Sequence, residues 1–207
     1  MRTFRRTPLL LVLALTACEG DGDDRPSNMH DHLASARTFE VAAAESTATL
    51  HAELQRGDKV EAADVSLTVA GGRFTVHAVD DHLRIDGLTL GFDDVALPVS
   101  LFPGELVLTD LHVHLAAPLV VPARWSHDGE LGIGLGPGTL RLDWSLAVDG
   151  AIYPLSSQAM ADLDFTVVAA DVAERATFGL GLTADGVMWT WADLVALGDL
   201  DLDIIAR

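Results

Sequence analysis

Histidine pairs are the residues of this 207-residue chain whose type and spacing could do chemistry. His112 and His114 have one residue between them, so on a β-strand both imidazoles would lie on one face, and His77 could join them from another strand. His30 and His32 form a second pair near the N-terminus. Such ligands favour zinc or copper, but a site needs about three or four of them and the sequence shows only pairs. The pattern therefore favours polar residues on the wet face of a sheet, and we predict neither a metal nor another cofactor.

Motifs for nucleophilic catalysis do not occur in the sequence. It contains no Gly-x-Ser-x-Gly elbow, no His-Glu-x-x-His motif and no phosphate-binding glycine loop. Hydrolase residue types stand together in Ser126-His127-Asp128, but adjacent residues of a strand or a turn do not face one another. Since an activity must be argued from a site, we predict that the protein is not an enzyme.

Cys18, the only cysteine, ends a segment with the composition of a targeting signal. Three arginines within the first six residues precede an apolar run over residues 9–15. That run is far shorter than the roughly 20 residues that span a bilayer. It ends in Leu15-Thr16-Ala17-Cys18, which resembles the lipobox of bacterial lipoprotein signal peptides. The resemblance implies cleavage before Cys18 and acylation of Cys18 with chains such as palmitate, which would anchor the protein stably in a bilayer. An ordinary secretory signal with a chance cysteine is the alternative.

The residue after the lipobox refines this address. In lipoproteins an aspartate at that position favours retention at the inner membrane, so Glu19 points to the outer membrane, with the protein facing the periplasm. We therefore divide the chain into a lipoprotein signal peptide over residues 1–17 and a lipidated cysteine with a flexible acidic tether over residues 18–36. Residues 37–207 form the folded domain in this division.

Acidic residues outnumber basic ones by 31 to 13, and Lys59 is the only lysine. Removal of residues 1–17 would delete three arginines and no acidic residue, which takes the formal net charge from −18 to −21. This balance argues against nucleic-acid binding and against a basic patch for anionic lipids, since both depend on basic side chains. The hydrophobic fraction of 49% is too high for an intrinsically disordered chain.

Apolar residues recur with a period of two from about residue 59 to the C-terminus, which predicts strands with one buried face. The clearest alternation covers residues 139–148. Residues 33–56 fit both helical and strand spacing, and we favour a strand, while a helical turn or two is an option over residues 191–198. About ten or eleven strands result. The predicted fold class is all-β: one antiparallel domain built as a curved sheet, a sandwich, a barrel or a roll.

Turn signals separate these runs at hairpin spacing. Gly71-Gly72 predicts a hairpin that joins residues 65–70 to residues 73–79. Further turns are predicted at Asp80-Asp81, Gly136-Pro137-Gly138, Asp149-Gly150 and Asp185-Gly186. Glycines on the polar face at Gly132, Gly134, Gly136, Gly179 and Gly181 predict bulges or a closely approaching layer.

Residues 83–90 and 106–115 look alike, because each places an acid just before a second apolar alternation. Over these residues the chain resembles the strands of elongated envelope lipid-transfer proteins of the AsmA kind. The resemblance implies an antiparallel sheet and a part in envelope lipid transport.

Trp144, Trp189 and Trp191 lie on the apolar faces of predicted strands, where the simplest interpretation makes them core residues. The alternative is that they line a hydrophobic groove or cavity in a curved sheet. The sequence leaves two functions open. The first is a non-catalytic binding module for lipid or another apolar ligand of the envelope. The second is a structural adaptor whose acidic surface binds a basic envelope protein. A ligand-sized cavity would favour the first function, and a fully packed core would favour the second.

Replacement of Cys18 by Ala should release the protein from the membrane fraction, because the acyl chains would have no thiol to attach to. Fractionation of bacterial envelopes measures this, with Ser27→Ala in the tether as a control that should stay with membranes. A Cys18→Ala protein that still fractionates with membranes would refute lipid attachment at that residue.

Overall fold

The computed structural model of the chain describes residues 33–125, 131–171 and 175–207, most of which lie in β-strands. Alternation of polar and apolar residues produces them, since only an extended chain puts every second side chain on one face. In chain order the strands are β1 Arg37–Glu40, β2 Thr47–Arg56, β3 Lys59–Leu67, β4 Val69–Val79, β5 His82–Phe92, β6 Val95–Leu97, β7 Leu106–Leu115, β8 Leu119–Pro122, β9 Arg124–Trp125, β10 Leu131–Val148, β11 Ala151–Asp171, β12 Arg175–Trp191 and β13 Leu194–Ala206.

All the strands belong to one antiparallel sheet, in the order β1-β4-β5-β7-β10-β11-β12-β13-β2-β3, with β6, β8 and β9 added at its margins. This confirms the all-β prediction and resolves it to a single curled, half-barrel sheet. The described residues contain 13 strands rather than ten or eleven. The excess comes from β6, β8 and β9, which are two to four residues long and too short to show an alternation.

The apolar face of the sheet lies inside the curl and forms the core. In β13 every second residue from Leu194 to Ala206 is buried or, at Gly198, has no side chain, while Asp199, Asp201 and Asp203 point outward. The alternation predicted for residues 139–148 is confirmed, because Leu140, Leu142, Trp144, Leu146 and Val148 are buried.

The sheet closes on itself at one end through β1. Its residue Phe39 pairs with Phe74 of β4, and just beyond it Glu40 exchanges backbone hydrogen bonds of 2.9 Å with Arg207 after β13. Inside this junction the Phe39 ring lies 4.5 Å from that of Phe178 and 6.0 Å from that of Phe74, measured between centroids. Three aromatic rings therefore join β1, β4 and β12 where the first strand bridges the two sides of the curl.

The predicted Gly71-Gly72 hairpin is wrong. Both glycines lie inside β4, which pairs with β5 and not with β3. Gly72 is needed for close approach instead of a turn, because a Cβ there would lie 2.5 Å from the carbonyl oxygen of Thr89. The chain passes from β3 to β4 through Thr68 alone, and these two strands lie near opposite ends of the sheet order.

Two more predicted turns are also wrong, and two are confirmed. Gly136-Pro137-Gly138 lies within β10 at a shift of register, and Asp185-Gly186 lies within β12 at another, so both signals mark bulges in long strands. Asp80-Asp81 and Asp149-Gly150 are two-residue connections between neighbouring strands, as predicted. The bulge between Gly134 and Pro137 agrees with the expectation from the outer-face glycines.

The helical option over residues 191–198 is wrong, because Ala192 and Asp193 form a tight turn from β12 into β13. Ala192 has a φ of 52°, and an alanine in a sequence does not predict such a positive φ. Residues 33–56 contain β1, β2 and one turn of 3₁₀ helix over Ala43–Glu45, so the preference for strand is confirmed over most of that stretch. Within the described ranges no helix is long and apolar enough to cross a membrane.

Replacement of Phe39 by Ala should lower the free energy of unfolding by about 3 kcal/mol, because it empties the ring cluster that closes the sheet. Val60→Ala is the control, since that side chain is 54% exposed and its loss should change stability by no more than about 0.5 kcal/mol. Urea unfolding of both variants measures the difference. Equal midpoints for the two would show that the closure contributes nothing to stability.

Candidate functional site

The hydrogen-bond ladder between β11 and β12 covers only part of their length. Residues 161–171 of β11 pair with residues 175–184 of β12, whereas residues 151–160 pair only with β10 and residues 187–191 pair only with β13. A shift of register between Ala184 and Val187 lies where the ladder ends, and Gly186 there has a φ of 68°. We call the unbonded boundary between residues 151–160 and residues 187–191 the slit.

A proline lies on one side of the slit. Pro154 lies in the half of β11 that borders it and has no N–H to donate to a neighbouring strand. Such a proline is typical of an edge strand, although β11 lies in the middle of the sheet order. The half of β11 that borders the slit therefore has one backbone donor fewer to offer its neighbours.

Aromatic rings line the inner side of the slit. Trp189 and Trp191 alternate on β12, and the Trp189 ring meets that of Trp144 edge to face with centroids 5.0 Å apart. The Trp191 ring contacts those of Tyr153 and Phe102, at 4.6 Å and 5.6 Å between centroids. The structure thus brings the three predicted tryptophans to one place, with Trp144 buried and the other two half-buried.

A small apolar cavity lies behind these rings. Its volume of about 20 Å³ is enough for a water molecule and far too small for a lipid. Trp144 and Trp189 line it together with Leu50, Ala52, Leu108, Leu111, Leu142, Val187, Gly198 and Leu200. Trp144 and Trp189 thus pack against the core and line this cavity, whereas Trp191 is not part of its lining.

Exposed apolar side chains gather on the outer side of the slit. Nine large hydrophobic side chains are exposed among the described residues. Six of them belong to β11, β12 or β13, and these are Tyr153 and five aliphatic side chains. We call those five the outer apolar patch: Ile152, Met160, Met188, Val195 and Leu197. Met188 is 59% exposed and is paired with Leu197 across the ladder. Sequence reasoning missed this patch, because the residues come from three strands and none is unusual alone.

The loop over residues 98–105 is fixed next to the aromatic rings. Arg56 donates to the Leu101 carbonyl at 2.9 Å, and its guanidinium carbon lies 4.3 Å from the centre of the Phe102 ring. Arg56 also pairs with Asp193 at 2.9 Å, and this hydrogen bond holds the pKa of Asp193 below its usual value. From the other side, the backbone N–H of Ser100 donates to Glu61 at 2.6 Å. The loop is thereby tied to β2, β3 and the turn before β13.

A second feature of the outer surface is an acidic groove across β11, β12, β13 and β2. Asp162 and Asp164 form one wall and Asp201 and Asp203 the other, with small side chains between them. The groove is open and has a volume of about 640 Å³. Its full lining is Thr47, Thr49, Asp162, Leu163, Asp164, Gly181, Leu182, Thr183, Asp201, Leu202 and Asp203, which includes no basic residue.

His51 lies beside this groove between two carboxylates. Its Nδ1 is 2.8 Å from Asp64 and its Nε2 is 3.4 Å from Asp201. The hydrogen bond with Asp64 raises the pKa of His51 above its usual value, and the charges of both aspartates act in the same direction.

The three histidines considered as metal ligands do not come together. His112 and His114 share a face of β7, with ring centres 6.1 Å apart, as their spacing predicts. Both His77 of β4 and His114 of β7 can be located by their partners on β5, the strand between them. His77 is paired with Arg84 and His114 with Thr89, further along β5, so His77 lies away from the other two histidines. In the part of the chain that the structure describes, no three His, Cys, Asp or Glu side chains are placed to share a metal ion. Cys18, His30 and His32 lie outside the described residues.

Comparison with known proteins adds little to this geometry. No protein-family model matches the chain, and no curated protein gives a significant match. Among solved structures the chain is similar to Ail, the attachment invasion locus protein of Yersinia pestis, at 9% sequence identity with a TM-score of 0.37. That match covers 82% of this chain and 97% of the other. A likeness at this level supports no argument about function, so the site is assigned from the residues of this chain.

Replacement of Asp64 by Asn should lower the pKa of His51 toward its usual value, because the hydrogen bond with the carboxylate is the largest cause of the shift. In the unmodified protein the raised pKa means that protonated His51 stabilises the fold fully below about pH 6.5, and that this contribution is lost as pH rises through the raised value. An NMR titration of the imidazole measures both proteins. An unchanged His51 pKa in Asp64→Asn would contradict the assignment.

Proposed function

We propose that this protein is a membrane-anchored periplasmic lipoprotein that acts as a non-catalytic binding module for an apolar ligand, an aliphatic chain taken up at the slit. In this proposal acylated Cys18 holds it at the outer membrane, facing the periplasm. The observation that carries the proposal is the coincidence of exposed apolar side chains, aromatic rings and an unbonded strand boundary in one place.

Burial of the outer apolar patch favours a ligand at this position. Leu197 and Met188 are about half-exposed, so covering the rest of either side chain contributes about half of the 1.5–3 kcal/mol of a complete burial. Methionine adapts its shape to the partner, and two of the five patch residues are methionines. Adjacent exposed apolar side chains, such as the paired Met188 and Leu197, are typical of an interaction site.

Opening the slit costs no backbone hydrogen bond. The ladders of β10 with β11 and of β12 with β13 would both stay intact if residues 151–160 moved away from residues 187–191. Only side-chain contacts join the two edges, chief among them the Tyr153–Trp191 pair. The closed cavity of about 20 Å³ is therefore the unliganded arrangement in this proposal, and a chain would enter by parting the two edges.

A second candidate function is supported by the acidic groove and by the cavity behind the tryptophans, which at about 20 Å³ is not ligand-sized and so meets the criterion for an adaptor. Four aspartates face solvent there with no basic residue in the lining, which suits a partner that presents lysine or arginine. The protein would then be an adaptor for a basic envelope protein. Binding of this kind weakens steeply with added salt, whereas uptake of an aliphatic chain does not.

Titration with 1-bromodecane tests the first function, because bromine quenches indole fluorescence on contact and three of the four tryptophans lie at the slit. The full-length chain with Cys18→Ala, which removes the acyl anchor, should show saturable quenching. Adding Met188→Asp should weaken it at least fivefold, because a charge at the mouth must lose water when the chain binds.

Val60→Asp is the matched control, since Val60 is also exposed but lies on β3 away from the slit. It should change the affinity less than twofold. Absence of saturable quenching, or equal effects of the two aspartates, would contradict binding at the slit. Salt-sensitive capture of one basic envelope protein in place of quenching would favour the adaptor.

A further inference from the structure

Two buried polar atoms near the slit have no hydrogen-bond partner within the described residues. They are Nε1 of Trp144 and Oγ of Ser157. Trp144 is only 5% exposed and lines the apolar cavity. A buried donor without an acceptor is rare in native proteins and calls for an explanation in terms of strain, function or a bound molecule.

The two orphan groups lie close together in the sheet. Trp144 of β10 is paired with Leu155 of β11, and Leu142 is paired with Ser157, so Trp144 and Ser157 are diagonal neighbours on the inner face. Ser157 belongs to the half of β11 that borders the slit. Trp144 thus lines the cavity, and Ser157 lies next to it on the strand that borders the slit.

The chemistry of these groups defines the ligand atom that would satisfy them. An indole N–H only donates, and a serine hydroxyl both donates and accepts, so an atom that serves both must be an acceptor. All the other residues that line the cavity are apolar or glycine. A pure hydrocarbon would leave Trp144 Nε1 unsatisfied, whereas a carbonyl oxygen would pair with it.

The charge of the surroundings restricts the acceptor further. No residue with a charged side chain is buried among the described residues, and Arg56, which lies over the Phe102 ring, is already paired with Asp193. A buried carboxylate would therefore have no free cation to balance it. The acidic groove on the outer face repels anions as well. An uncharged carbonyl, as in an ester or an amide, meets both conditions.

From this arrangement we infer that the slit selects neutral acyl esters or amides, whose carbonyl oxygen accepts from Trp144 Nε1 while the chain lies between residues 151–160 and residues 187–191. This inference rests on the proposed function and names the ligand class of the same site. Trp144 supplies the hydrogen bond, and the aromatic and aliphatic side chains of the slit supply the apolar contact.

Three probes of similar length separate the alternatives: methyl decanoate, decanoate and undecane, each titrated calorimetrically into the full-length Cys18→Ala chain. Methyl decanoate should bind tightest. Adding Trp144→Phe, which keeps a ring and removes the N–H, should weaken methyl decanoate about three- to tenfold and change undecane less than twofold. Ser157→Ala should cause a smaller loss with the same selectivity, and it provides a second test if Trp144→Phe does not fold.

Trp189→Phe is the matched control, because Trp189 also lines the cavity but its ring nitrogen is not among the orphan groups. It should affect methyl decanoate and undecane alike. Equal binding of ester and alkane by the unmodified slit, or equal losses of both in Trp144→Phe, would overturn the inference and leave the proposed function standing. Failure of all three probes to bind would overturn both.

Discussion

A single β-sheet with one apolar face can bury that face only by curling until the face meets itself, and the rest of this structure depends on that constraint. Alternation along β13 sends leucine, alanine and isoleucine inward and three aspartates outward. The same division runs through the neighbouring strands, so the inside of the curl becomes the core and the outside takes the charge. Closure through β1 and the Phe39 ring then fixes how far the sheet can curl at one end. The acidic groove is a consequence, because the outward carboxylates of β11 and β13 flank a strip of glycine and threonine in β12.

The slit is the place where this curled sheet lacks a continuous ladder. In β12 the register shifts after Ala184, where Gly186 takes a positive φ, and the ladder with β11 ends at the same place. On the opposite edge, Pro154 has no N–H to donate. The gap in hydrogen bonding is filled by aromatic side chains instead, which can part without breaking the backbone ladders on either side. In our account the binding function belongs to this place because the fold is least firmly bonded there.

Much of the fold could be predicted from the sequence, because a period of two is visible wherever a strand is long enough. The alternation over residues 139–148 and the two-residue turns at Asp80-Asp81 and Asp149-Gly150 are examples. The hairpin predicted at Gly71-Gly72 is wrong because a hairpin turn and a close approach of two strands both favour glycine. Only the pairing of β4 with Thr89 and its neighbours on β5 distinguishes the two cases. Only part of the candidate site could be predicted from the sequence. The three tryptophans were predicted as possible groove residues, whereas Tyr153, Phe102 and the outer apolar patch were not. Those residues come together through pairings between strands distant in sequence, and a single sequence carries no record of such pairings.

Native mass spectrometry of the full-length protein, extracted from bacterial envelope membranes in a mild detergent, tests the central claim most directly. The account predicts a reproducible adduct with the mass of a neutral acyl ester or amide, bound in near-unit ratio and released on denaturation. A Met188→Asp protein prepared in the same way should lose the adduct, and a Val60→Asp protein should keep it. A clean mass without adduct would contradict ligand binding at the slit, return the tryptophans to a purely structural role and leave the acidic adaptor as the better function.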